Sequence, residues 1–506
     1  MMFGPVATSM PQIILLANWL LEMDFERKWN RVKNNGIFWL LLSVFLMHVV
    51  GVFYSADKAA AGDDIWIKMP LLFLTVIFFT SEPLREQEWR WFLKGLVLGT
   101  ALSMVWCLSY SFILHPEVDA RHTSRFMSHI RLGLYATVAI ATSVWLMVSS
   151  PNRAVKWAWI AVLLFILVSM YLLGLAGGLA ILLILSVIYL LRLGWKQTWW
   201  IRFGSITVVT VLLGMFVVYV YRIRSEQVHP KDAPVNRPMQ MNAQGRALIH
   251  FDTTGQVENG YYVLMNIQME DLKREWNRRV PGDSFNYAQQ YNLGRYEILL
   301  RYLSSKGLMK DSVGVAALNA ADVRNIQQNI PNHRYPEWSF LHKRLIELVN
   351  ELEDYGKPHQ VNGHSFIMRL YFAKAALMVV RDHPLFGVGT GDLQSSMNEV
   401  YSTKAFPLSE EWYKRPHNQY LSFAVTFGVI GLLLFVISLI YPYIKLRRYL
   451  NPVYTAFLLV FLISCLVEDT LETQAGLTFF AVLNTLFISQ AQAKTTQTPV
   501  DLSANH

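Results

Sequence analysis

Apolar residues are grouped along this sequence in blocks of about 17 to 25 with few charges inside them, and each block is long enough to cross a ~30 Å hydrocarbon layer as a helix. The blocks run over residues 4–22, 37–54, 65–80, 92–114, 131–149, 156–173, 175–192, 201–221, 418–444, 452–468 and 475–491, which predicts eleven spans. Between blocks six and seven, Gly174, Gly177 and Gly178 leave almost no room for a loop. That spacing predicts either a tight hairpin or one irregular helix lining a cavity. Residues 222–417 break the pattern by being far more polar. Within them Tyr287–Leu303 and Phe340–Tyr355 place apolar residues at i, i+3, i+4 and i+7, as an amphipathic helix does. An insertion of about 195 residues with helical periodicity predicts a folded domain, since structureless loops beyond ~15 residues are uncommon. The expected fold is an all-α polytopic transmembrane bundle in four parts. These are an N-terminal bundle over 1–221, a large and mostly helical loop domain over 222–417, C-terminal membrane helices over 418–492 and a tail over 493–506.

Charge gives the bundle a sidedness. The connector 23–36 carries Arg27, Lys28, Arg31 and Lys33, and the positive-inside rule assigns it to the cytoplasm. Counting onward, the connectors bearing Arg85 and Arg90, Arg153 and Lys156, Arg192 and Lys196, and Lys445, Arg447 and Arg448 all fall on the same side. The same parity puts 55–64, 115–130, 222–417 and 469–474 outside, and the tail from Ala493 inside. Residues 1–22 contain Pro5 and Pro11 and lack a charged leader region, so a signal peptide is not expected, and the block is either the first span or a re-entrant or truncated helix.

Composition agrees. The 506 residues are 53% hydrophobic and 16% charged, with mean hydropathy +0.28, which does not suit a soluble globular enzyme. Counts of 28 Gly, 19 Pro and 2 Cys exclude collagen-like, disordered and disulfide-scaffold classes. Cys107 and Cys465 lie in apolar blocks and are expected to be buried thiols. The net charge of +9 is read by position, as marking cytoplasmic connectors and anionic lipid contacts, and no nucleic-acid partner is expected.

Four segments carry candidate chemistry. In RPHNQYLSFAVTFGVIGL (Arg415–Leu432), His417 stands where the loop domain meets a span. It is either an anchor or cap there, or a base, since a neutral imidazole is suited to take a proton from a hydroxyl. In SFIMRLYFAKAALMVVRDHPLFGVGTGD (Ser365–Asp392), Arg369 begins a helix that continues to Val380, and Gly387, Gly389 and Gly391 then form a turn or aim amides at an anion. In RHTSRFMSHIRLG (Arg121–Gly133), Arg125 and His129 share a helix face and Arg131 lies about 120° further round. They snorkel to headgroups or bind an anionic substrate; Arg222 and Arg224 are similarly placed. EDTLETQAG (Glu468–Gly476) supplies Glu468, Asp469 and Glu472, which either pair those arginines or cap the last helix. His359, His364 and His383 show no zinc spacing with these acids, and no metal is expected. Arginines at a membrane-level site without a nucleotide loop suit a lipid diphosphate, whose departure makes a sugar C1 electrophilic without ATP.

His417, Asn418, nine residues, Gly428, two residues and Gly431 reproduce the His-Asn-x9-Gly-x-x-Gly pattern of the O-antigen ligase and polysaccharide polymerase superfamily. HPLFGVGTGD resembles the element that precedes that histidine in the family, and FMSHIRLG and EDTLETQAG resemble segments of its Bacteroidetes-type members. The resemblance covers about residues 37–491 and departs in span count, eleven against the usual twelve. It implies an inverting, metal-independent and cofactor-free glycosyltransferase of the bacterial inner membrane, acting at its periplasmic face. The donor would be a glycan on undecaprenyl pyrophosphate and the acceptor a hydroxyl of lipid A core. Carried over, His417 is the base and Arg369 a catalytic or diphosphate-binding arginine. Arg125, His129, Arg131, Asn418, Arg222 and Arg295 are further substrate-binding candidates. A polymerase or an O-linked protein oligosaccharyltransferase shares the pattern and differs in acceptor. A transporter of anions or lipids is a more distant reading, which expects internal symmetry and charges near mid-membrane.

Overall fold

The structure is a computed structural model and describes residues 5–114, 128–195, 198–250, 257–282, 293–355 and 362–497. It opens with α1 (Pro5–Leu21) and the short α2 (Phe25–Val32). Thereafter short polar side chains take over the orphan amides of successive first turns. Asn35 caps α3 (Gly36–Tyr54) and Asp57 caps α4 (Lys58–Thr80). After α5 (Glu86–Ser109), which ends in a π turn, Ser128 caps α6 (His129–Val148) and Asn152 caps α7 (Arg153–Leu172). Helix α8 (Ala176–Trp195) follows α7 at once, so of the two arrangements expected around Gly174 the protein takes the tight hairpin. A Cβ on Gly178 would lie 2.7 Å from Gly133 Cα, so the glycine lets α8 pack directly on α6.

A second unit, Trp199–Lys357, comprises α9 (Trp199–Val228), the two-residue antiparallel strands β1 (Val257–Glu258) and β2 (Tyr261–Tyr262), α10 (Met269–Arg279), α11 (Leu293–Ser305), α12 (Ser312–Ala316), α13 (Ala320–Gln327) and α14 (Phe340–Asp354). The polypeptide then rejoins the first unit, Met1–Thr198 with Pro358–His506, through α15 (Ser365–Asp382), α16 (Leu393–Thr403), α17 (Gln419–Leu446), α18 (Pro452–Ser464) and α19 (Gln474–Gln497).

Helices α1, α3 to α9 and α17 to α19 fall on the eleven apolar blocks. Among the described residues, seven of them are long and apolar enough to cross a membrane: α3, α5, α6, α7, α8, α9 and α17. The helices α1 and α18 are apolar but short. Helix α4 carries Lys58, Asp63, Asp64 and Lys68 in its first half, and α19 turns Thr478, Asn484 and Thr485 into the protein. The molecule is an all-α polytopic membrane protein.

Connectors assigned by parity to one side meet at one end of the first unit. Arg27 and Arg31 pair with Glu82, joining 23–36 to the α4–α5 connector. At the opposite end Asp392 accepts from the amides of Ala56 (2.6 Å) and Asp57 (2.8 Å). There Lys68 Nζ also donates to Leu471 O and to Glu472 Oε2, both at 2.9 Å.

The second unit has its own core around fully buried Trp276, Tyr302 and Leu299. The amphipathic run at Phe340 forms α14, whose Ile346 and Val349 pack on Ile223 of α9; the start of the run at Tyr287 lies outside the described residues. Lys310 is fully buried and donates to Tyr262 O at 2.5 Å. Burial pulls its ammonium down to about 8, from an ordinary 10.5. Between those values the unfolded polypeptide holds a proton that the folded one has lost, so this unit gains stability as pH rises through them. Urea titrations of the full-length protein should show a gain approaching ~1.4 kcal/mol per pH unit from pH 8 to 10, abolished by Lys310→Met. A flat wild-type profile would refute it.

Candidate active site

Three acids on the short α18–α19 connector organise the start of α17. Asp469 accepts the His417 amide through Oδ2 (3.0 Å) and the Ser422 hydroxyl through Oδ1 (2.8 Å). His417 has φ +50, a left-handed backbone that costs a β-carbon-bearing residue energy unless its surroundings impose it. The Asp469 clamp imposes it, and Asn418 then caps α17 through Leu421 N (3.0 Å) while its amide donates to Leu466 O (3.0 Å). The imidazole lies against Phe372 of α15, with ring centroids 5.7 Å apart.

Glu468 joins the two main candidates. Its Oε1 lies 3.4 Å from Arg369 Nη2 and its Oε2 lies 3.9 Å from His417 Nδ1, an ion-pair distance too long for a hydrogen bond. His417 Nδ1 and Arg369 Nε are buried without a hydrogen-bond partner among the described residues. The imidazole side chain is 37% exposed, so its accessible edge is the one away from Nδ1. Burial works against ionisation of Glu468, but His417, Arg369 and Arg131 together hold its carboxyl below the ordinary value. Asp469 goes the other way, raised by burial and then by Glu472.

Glu472 forms a second cluster. It accepts from Lys68 Nζ (2.9 Å), Arg415 Nη1 (2.7 Å) and Gln419 Nε2 (2.9 Å). Burial opposes its charge, yet Lys68 and Arg415 keep the carboxyl far below the usual range. Pairing, not capping of α19, is what this side chain does. Lys68 is not among the residues that sequence reasoning singles out. Its signal is an ionisable group four residues after Asp64 inside an otherwise apolar run, which membrane burial makes expensive.

The glycine turn is structural. Gly428 has φ 65 and ψ −166, which interrupts α17. The interruption frees the carbonyls of Val425 and Thr426 and the amides of Val429 and Ile430. Val388 N and Gly389 N donate to those two carbonyls (both 2.9 Å), and Val429 N and Ile430 N donate to Pro384 O (2.9 Å) and Leu385 O (3.4 Å). HPLFGVGTG thus repairs the broken helix, and the amides of Val388 and Gly389 are spent on it instead of on an anion. Thr390 Oγ1 then donates to His48 O (2.7 Å), and Gly391 N to Ser55 Oγ (2.9 Å), locking the segment to α3.

The remaining candidates fall in different places. Arg131 sits in the first turn of α6 within the field of Glu468, and His129 opens the same helix, half-buried. Arg125 lies outside the described residues. Arg222 and Arg295 belong to the second unit, Arg222 exposed on α9 and Arg295 in the first turn of α11. His364 and His383 stand at opposite ends of the 18-residue α15, roughly 27 Å apart, too far to share a metal ion; His359 lies outside the described residues.

Fold and site define a multi-pass membrane protein with a histidine, a set of arginines and a group of buried and partly buried acids at one end of its bundle. Residues 315–436 match the family model described as O-Antigen ligase, which supports membership of the protein in the O-antigen ligase superfamily. The matched segment runs from α12 into α17 and takes in Arg369, the glycine clip, His417, Gly428 and Gly431. It supports an O-antigen ligase or polymerase type of function in general, and a glycosyltransferase-like membrane enzyme. Comparison with curated proteins gives no match.

Proposed function

We propose that the protein is an O-antigen ligase, which moves a glycan from undecaprenyl pyrophosphate to a hydroxyl of lipid A core at the periplasmic face of the inner membrane. The observation that carries this reading is the shared carboxylate: Glu468 lies between the guanidinium of Arg369 and the buried Nδ1 edge of His417. A carboxylate on one edge of an imidazole orients the ring and stabilises the imidazolium formed when the other edge takes a proton. In the proposed step His417 removes the acceptor proton as the acceptor oxygen bonds to the sugar C1. The bond from C1 to the diphosphate oxygen breaks with inversion, and its electron pair leaves on the diphosphate. Arg369 and Arg131 neutralise the charge that grows there. No step calls on a metal or cofactor.

Reconstitution of the purified protein with lipid-linked glycan and separate acceptors tests the assignment. Glycan on lipid A core alone is expected. Glycan growth on the lipid carrier would make the protein a polymerase, glycan on a protein acceptor would make it an oligosaccharyltransferase, and transfer to no acceptor would remove the enzymatic reading. In cells lacking the protein, long lipid-linked glycans should accumulate with no polymer on lipid A. A single repeat still attached would favour the polymerase.

A further inference from the structure

We infer that Arg415 is a second phosphate-gripping side chain, tethered to Glu472 in the unliganded protein and transferred to the diphosphate when the donor binds; this rests on the lipid-diphosphate donor proposed above. Arg415 precedes His417 by two residues, and its carboxylate partner Glu472 stands four residues from Glu468, the partner of Arg369. Each of the two guanidiniums is therefore paired with its own partly buried acid on the α18–α19 connector. A diphosphate presents two charged centres, and one planar fork for each matches its geometry.

The partners of Glu472 show which donor can leave. Lys68 and Gln419 are both fully buried and bond the carboxylate at 2.9 Å. The Arg415 side chain is 36% exposed. If Arg415 swings away, Glu472 keeps a charged donor and an amide donor, so the largely enclosed carboxylate is not left bare. Lys68, held between Glu472 and Asp64 (3.3 Å), supplies the permanent counter-charge and has no exposed surface with which to meet a ligand. A carboxylate whose charge is already met from inside can lend its outer arginine. Arg369 is held more loosely still, with Nη2 at 3.4 Å from Glu468, Nη1 at 3.1 Å from Ser365 O and Nε without a partner among the described residues.

The test measures binding of farnesyl diphosphate and farnesyl monophosphate to the full-length protein in detergent, by calorimetry. The wild type should prefer the diphosphate, and Arg415→Gln should weaken diphosphate binding by about 10-fold or more while largely erasing the preference. Diphosphate binding unchanged in Arg415→Gln overturns the inference and leaves the donor reading standing. An equal loss for both ligands marks a structural role and also overturns it. If the wild type binds neither, the donor reading falls first and this inference with it. Should Arg415→Gln not fold, Arg415→Lys keeps the charge for Glu472 but loses the fork. It should still weaken diphosphate binding several-fold, and wild-type affinity in that variant refutes the inference.

Discussion

Replacing His417 by asparagine should lower glycan transfer by ~10²–10⁴-fold, the range for loss of a positioned proton acceptor, without unfolding the protein. Asparagine is the informative replacement because position 417 has φ +50, a conformation asparagine tolerates better than alanine does. The Asp469 clamp acts on the backbone amide and survives the change, so α17 still starts where it did. Arg369→Ala should cost ~10²–10³-fold through the leaving group. Glu468→Gln should cost less than either, because the ring keeps Phe372 beside it. Glu468 also sets a pH limit. A carboxyl held below its ordinary 4.5 stays ionised above that value, and its contribution is lost only as pH falls through the depressed one. Glu468→Gln should therefore lower activity at pH 8, where the carboxylate it replaces is fully ionised. Capped lipopolysaccharide at normal levels from both His417→Asn and Arg369→Ala would remove the proposed site.

How far the sequence reaches depends on the kind of interaction. The helices that fall on the eleven apolar blocks are legible because each is a local property of its own block, although among the described residues seven of them are long and apolar enough to span a membrane. His417 and Arg369 stand out through residue type and position, and α14 through its periodicity. The acids are legible as a group but not in their roles. Glu468, Asp469 and Glu472 lie within five residues of one another, yet one meets the histidine and arginine side chains, one clamps a backbone amide and one neutralises a lysine from α4. Those assignments depend on which helices surround the connector, and no spacing encodes that. The glycine turn shows the same limit. Its glycines predict close backbone approach, and the structure has it, but the partner is a gap in α17 some forty residues away, not a ligand.

That gap makes Gly428 the position where one methyl group should do most damage to the fold. At φ 65 and ψ −166 the backbone occupies a region essentially reserved for glycine, which costs other residues ~1–3 kcal/mol. An added Cβ would also lie 2.2 Å from the carbonyl carbon and oxygen of Leu385, atoms that cannot step aside without breaking the Val429 and Ile430 hydrogen bonds. Strain and overlap act at once, so Gly428→Ala should destabilise the protein by several kcal/mol, ~3 or more. Gly95, in α5 with nothing within 4 Å of its added Cβ, is the control: alanine there should be neutral or stabilising by up to ~1 kcal/mol. Thermal unfolding in detergent should separate the two variants by well over 5 °C, and a Gly428→Ala protein melting with the wild type would show that the interruption of α17 is not glycine-dependent. Because the stretch from Gln419 to Phe427 lies between this break and His417, any surviving Gly428→Ala protein should also transfer glycan poorly. Restoring an unbroken helix would turn the first two turns of α17 relative to Glu468 and Asp469, so the break at Gly428 sets where His417 stands against those acids.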